Sequence, residues 1–136
     1  MVHALRRVAG MVVPGGRVID VRSLDERAEF LVGPSSCGHL RETDEGIEYR
    51  QAELALQTAL AAGVFTLESE HPFSFRHYAP GLAAMREYLA ATWKDAVILP
   101  EVAHAVEAAL AEAEPGAEVV LRETGWMRVL RPLRSA

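Results

Sequence analysis

The chain has 136 residues, half of them hydrophobic and 24% charged, with a formal net charge of −5. That length suits one domain with a substantial core, and the mixed composition excludes a disordered chain. The acidic balance argues against a nucleic-acid footprint despite Arg128, Arg131 and Arg134 near the end, and no apolar run approaches the ~20 residues of a membrane span.

In chain order, Val2–Gly10 predicts a helix, because Leu5, Val8, Ala9 and Val12 recur at i, i+3, i+4 and i+7. Pro14-Gly15-Gly16 ends it, and Arg17–Arg22 predicts a buried strand rich in β-branched residues. Ser23–Arg27 is a polar turn. Ala28–Val32 and Gly38–Glu42 predict a small hairpin closed by Gly33-Pro34-Ser35-Ser36. A second helix starts at an Asp44 cap, carries Ala52, Ala55, Leu56, Ala59 and Leu60 on one face, and stops at Gly63. Across Val64–His77, Phe65, Leu67, Phe73 and Phe75 share one parity. This predicts a long bent strand, or two in series, broken at Pro72 near a sheet edge. Pro80–Trp93 predicts a third helix, Ala96–Leu99 a connector, and Pro100 the first turn of a fourth helix. Glu118–Leu130 is the last strand, with Gly125 expected at a bulge. Alternating helices and strands predict the α/β class, with a mixed sheet flanked by helices.

Residues 4–22, Ala-Leu-Arg-Arg-Val-Ala-Gly-Met-Val-Val-Pro-Gly-Gly-Arg-Val-Ile-Asp-Val-Arg, resemble the helix, Pro-Gly-Gly turn and strand in the C-terminal half of class I S-adenosylmethionine (SAM) dependent methyltransferases. The later order of helix, strand, helix and last strand is similar too. The resemblance implies a Rossmann-like half domain over residues 1–136, with residues 28–42 as a hairpin insertion. It further implies a core strand order of first, last, middle, with the last strand antiparallel and strand one at an open edge. That family's Gly-rich cofactor loop has no counterpart in this sequence. A cofactor site is therefore expected only if a partner chain supplies the loop.

Several side chains are candidates for chemistry. Asp20 and Arg22 lie at the carboxyl end of the first strand, where open α/β sheets bind ligands. The plainer reading is that Asp20 simply pairs with a nearby arginine. Cys37 is the sole possible thiol nucleophile, with His39 as its nearest base, although a lone cysteine in a turn is usually just a small residue. Tyr78 and Trp126 suit the mouth of an apolar pocket, because each joins a ring to a polar tip; core packing is the ordinary alternative. The histidines show no ligand spacing, and Glu68, Glu70 and His71 read as strand polarity, so no metal is expected. Arg50 and Glu53 read as a solvated helix face.

Three functions follow. The first is a methyltransferase-derived, homodimeric binding or structural domain without methyltransferase activity of its own. The second is one half of a split enzyme completed by a partner chain. The third is an unrelated α/β enzyme using Asp20 and Cys37. A cytoplasmic, bacterial protein is expected from the lone cysteine, the absence of an apolar segment after Arg6 and Arg7, and a composition rich in alanine and in arginine over lysine.

Overall fold

A computed structural model describes residues 2–23, 27–43 and 46–133. In chain order the elements are α1 (Val2–Met11), β1 (Val18–Ser23), β2 (Glu29–Val32), β3 (Ser35–His39), β4 (Arg41–Glu42), α2 (Ile47–Ala61), β5 (Phe65–Ala79), α3 (Leu82–Thr92), β6 (Ala96–Val97), α4 (Pro100–Glu112) and β7 (Val119–Pro132). The α/β class holds. The chain forms two compact units: residues 1–25, 46–73 and 125–136 make the first, and residues 26–45 and 74–124 the second.

The first unit is a small sheet with two helices. β7 pairs antiparallel with β1, setting Val18 opposite Leu130, Asp20 opposite Arg128 and Arg22 opposite Trp126. β7 also pairs with β5. The Leu133 N–H donates to the Val64 carbonyl at 3.0 Å and the Thr66 hydroxyl to the Arg131 carbonyl at 3.5 Å, so these two strands run in opposite directions as well. The expected order of first, last, middle is thus found, with β7 between β1 and β5. The sheet is antiparallel at these pairings rather than mixed, because the central strand opposes both neighbours. Leu56 and Ala59 of α2 pack with Phe65 and Leu130, and Leu5, Ala9 and Val18 close around them.

The end of α2 follows from one glycine. Gly63 sits at φ +67°, and its N–H reaches the Leu60 carbonyl while that of Val64 reaches Ala59. These bonds satisfy the last orphan carbonyls of the helix. At the other end Gly46 is the N-cap at φ 78°, with no side-chain cap bond. Asp44, expected to cap this helix, lies outside the described residues, as does most of the expected Ser23–Arg27 turn.

The second unit holds the larger core. β2 pairs antiparallel with β3 and with the first residues of β7, Phe30 facing Leu121 and Val32 facing Val119. Phe30, Leu121, Val119, Met85 and Val106 are buried there beneath α3 and α4. β4 and β6 form a short antiparallel pair where a plain connector was expected. Pro100 opens α4 as anticipated. The predicted hairpin exists, but it lies along β7.

Three expectations are corrected. Phe75 is 52% exposed rather than a core residue, while β5 runs as one strand through Pro72, the first of the two forms expected for it. β7 keeps an unbroken register against β1 through Gly125, so no bulge exists on that side. A Cβ at Gly125 would sit 2.7 Å from the Arg22 carbonyl oxygen and 2.8 Å from the Phe73 ring, so the position needs glycine for close approach. Cys37, expected in a surface turn, is buried within β3.

Candidate functional site

Strand alternation puts Val18, Asp20 and Arg22 of β1 on one face with Leu130, Arg128 and Trp126 of β7. α2 and α1 cover the apolar end of that face. Toward the carboxyl end of β1 the same face turns charged. Helical spacing brings Tyr49, Glu53 and Gln57 of α2 over it at intervals of four residues. There a cavity of about 470 Å³ opens, lined by Arg22, Ser23, Leu54, Trp126 and Arg128 together with Tyr49, Arg50, Glu53 and Gln57. Its size is within the range of small-molecule sites.

Arg128 is the buried charge at its centre, with a side chain only 6% exposed. Its Nη1 donates to Glu53 Oε2 at 2.6 Å and its Nη2 to Glu53 Oε1 at 3.2 Å, a two-point fork, while Nε binds Glu70. Asp20 Oδ2 lies 4.0 Å from Nη1. The guanidinium also sits 5.9 Å over the Trp126 ring, within cation–π range. Arg22 donates through Nε and Nη2 to the same oxygen, Asp20 Oδ1, at 3.1 and 2.7 Å. Arg22 Nη1 and Asp20 Oδ2 are buried without a hydrogen-bond partner.

The electrostatics fix the protonation states. Burial works to raise the Glu53 carboxyl, but hydrogen bonds from Arg128 and Gln57 outweigh it and hold the group below its ordinary range. Burial likewise opposes the charge of Arg128, and Glu53 and Glu70 more than restore it. Glu53 is therefore a fixed carboxylate, poorly suited to donate a proton at neutral pH. The cluster holds and orients charge; among the described lining residues no nucleophile–base pair stands out.

The candidate residues separate. Arg22 and Trp126 meet at this cavity, and Asp20 is hydrogen-bonded to Arg22. Cys37, His39 and Tyr78 belong to the second unit. Burial pushes the Cys37 thiol up, and its Sγ donates to the Ser35 carbonyl at 3.8 Å, so it is a weak nucleophile. His39 lines a polar hollow with Arg27, Glu29, Arg122 and Thr124, in which Glu29 is held low by Ser36 and Arg122. Tyr78 is exposed on β5, beside a stacked His77–Tyr88 pair whose ring centroids are 3.4 Å apart.

Sequence reasoning missed Glu53, Arg50 and Arg128, which it assigned to solvated or basic surface. Cross-strand register was the signal that finds Arg128, because once β7 lies against β1, Asp20 and Arg128 must face each other. Among the described residues no group of His, Cys, Asp and Glu is arranged to hold a metal, and no helix is long and apolar enough to cross a membrane. No protein-family model, no curated protein and no solved structure matches this chain.

Proposed function

We propose that this chain is a small-molecule-binding domain of methyltransferase-like ancestry, acting as a homodimer and without methyltransferase activity of its own. The observation that carries the binding reading is the cavity at the carboxyl end of β1, floored by Trp126 and Leu54 and framed by locked arginines. The ancestry is supported by the helix, Pro-Gly-Gly turn and strand at residues 4–22, and by the order β1, β7, β5 with β7 antiparallel to β1. A thermal-shift screen of small molecules, with SAM included, tests the reading. Ligands that stabilise the wild type and not Trp126→Ala support it. Stabilisation by SAM at micromolar concentration overturns the cofactor-free part.

The dimer rests on the opposite face of the same sheet. Ile19 and Val21 are each 56% exposed, Met127 is exposed beside them, and no residue of α1 is buried. β1 ends the strand order. An open apolar edge is a template for pairing with another chain. A second copy suits it by charge. An antiparallel β1–β1 contact centred on Val21 sets Asp20 against Arg22 of the second copy, consistent with a two-fold assembly. The same exposed surface also favours a second reading, a different polypeptide that carries the Gly-rich cofactor half. Light scattering at micromolar concentration separates them. Twice the chain mass, lost in an Ile19→Lys/Val21→Lys variant, supports the dimer. A single-chain mass overturns it, and SAM binding that appears only with an added chain favours the split enzyme.

A further inference from the structure

The cavity's own chemistry narrows what it binds, and this step rests on the binding reading above. Among the described lining residues, Arg22, Arg50 and Arg128 stand against one carboxylate, Glu53. The other acids of the cluster, Asp20 and Glu70, are not among those lining residues. Among the described lining residues guanidinium therefore outnumbers carboxylate.

The arginines are not equally spent. Arg128 uses Nε, Nη1 and Nη2 on Glu70 and Glu53. Arg22 directs Nε and Nη2 at a single oxygen of Asp20, leaving Nη1 buried and unpartnered. A buried donor without a partner carries its full desolvation cost; Arg22 lines the cavity, and turning Nη1 toward a ligand acceptor there relieves that cost. Guanidinium geometry favours a planar carboxylate as that acceptor. A multiply charged anion would meet Glu53 and Asp20 at close range, so a single negative charge fits best. The apolar part of the wall is the Trp126 indole, the Tyr49 ring and Leu54, with Ser23 and Gln57 as neutral polar neighbours. Such surfaces take an aromatic body by stacking.

We infer that the cavity binds a small aromatic monocarboxylate, its carboxylate at Arg22 and its ring against Trp126. The test uses the full chain labelled with ¹⁵N and three matched probes: 2-naphthoate, 2-naphthylmethanol and 2-naphthylmethylamine. Naphthoate is expected to shift the Trp126 indole N–H and to bind at least about tenfold more tightly than the alcohol, the worth of one charge-assisted hydrogen bond. An Asp20→Asn/Arg22→Gln variant, which strands no carboxylate, is expected to lose that preference. Equal or tighter binding of the alcohol or the amine overturns the anionic class while leaving the binding reading intact. A double variant that is folded by its amide dispersion and still prefers naphthoate overturns the role of Arg22. No shift at Trp126 with any probe at millimolar concentration overturns the binding reading and this inference with it.

Discussion

Replacing Arg128 by methionine tests the charged centre of the first unit. The substitution keeps much of the side-chain volume and removes the cation. It strands Glu53 and Glu70 on a face where Arg128 itself is 6% exposed. Breaking a buried pair from one side costs about 3–5 kcal/mol, mainly through the uncompensated charge left behind. Glu53 and Glu70 are 39% and 34% exposed and recover some hydration, and Asp20 keeps Arg22, so the low end applies. The expected loss at pH 7 is about 3 kcal/mol, or roughly 10 °C in Tm for a domain of this size. The pH dependence is a sharper signature. Wild-type Glu53 is held below its ordinary pKa, so its contribution is full above the unfolded carboxylate value and disappears as pH falls through the folded one. Without Arg128, burial is left as the main influence on Glu53, and that contribution is gone at every pH. The gap between wild type and variant should therefore narrow as pH drops from 7 toward about 3.5. Urea titrations at both pH values measure it. A loss below about 1 kcal/mol, as for an ordinary surface pair, or a gap unchanged between the two pH values, would refute the cluster as described.

Other consequences are separate. Gly125→Ala should cost about 1–3 kcal/mol, because its Cβ would press on the Arg22 carbonyl oxygen and the Phe73 ring, and chemical denaturation reads this directly. Cys37 should react slowly with iodoacetamide in the folded protein and quickly in urea. Because burial raises its thiol pKa, its stabilising share persists at neutral pH and is lost only as pH rises above the ordinary thiol value, which alkaline melts would show. Phe75→Ala should change stability by less than about 1 kcal/mol, since half of the ring is already in water, and a melt showing a core-sized loss would mean the ring is covered in solution.

What could be read from the sequence was local. Gly63 and Pro100 mark helix ends through backbone chemistry confined to a few residues, so both positions were legible. The burial of β5 was not. Shared parity of Phe65, Leu67, Phe73 and Phe75 implies one covered face along the strand, yet only Phe65 and Ala79, the strand's two ends, are buried. β5 passes from one compact unit to the other between Phe73 and Ser74, and parity cannot anticipate where packing begins or ends. Cys37 escaped for a related reason. Its neighbours are all turn-formers, but pairing of β3 with β2 turns that stretch into a strand, and Val102 of α4 lies close to the adjoining Gly38.

The candidate site divides along the same line. Asp20, Arg22 and Trp126 were nameable one by one, from strand position and residue chemistry. Their meeting depends on register, and register is set only when β7 enters between β1 and β5. Once it does, each pairing step along β1 changes the chemistry of the covered face. Val18 with Leu130 is apolar packing, Asp20 with Arg128 is a buried ion pair, and Arg22 with Trp126 is the mouth of a cavity. A slip of β1 by one residue would bring Ile19 and Val21 onto this face in place of Asp20 and Arg22 and leave Arg128 without Asp20. The ion cluster and the cavity thus depend on the same register. Glu70→Gln, which weakens the Arg128 cluster at a residue that is not among the described lining residues, should consequently alter the cavity as well.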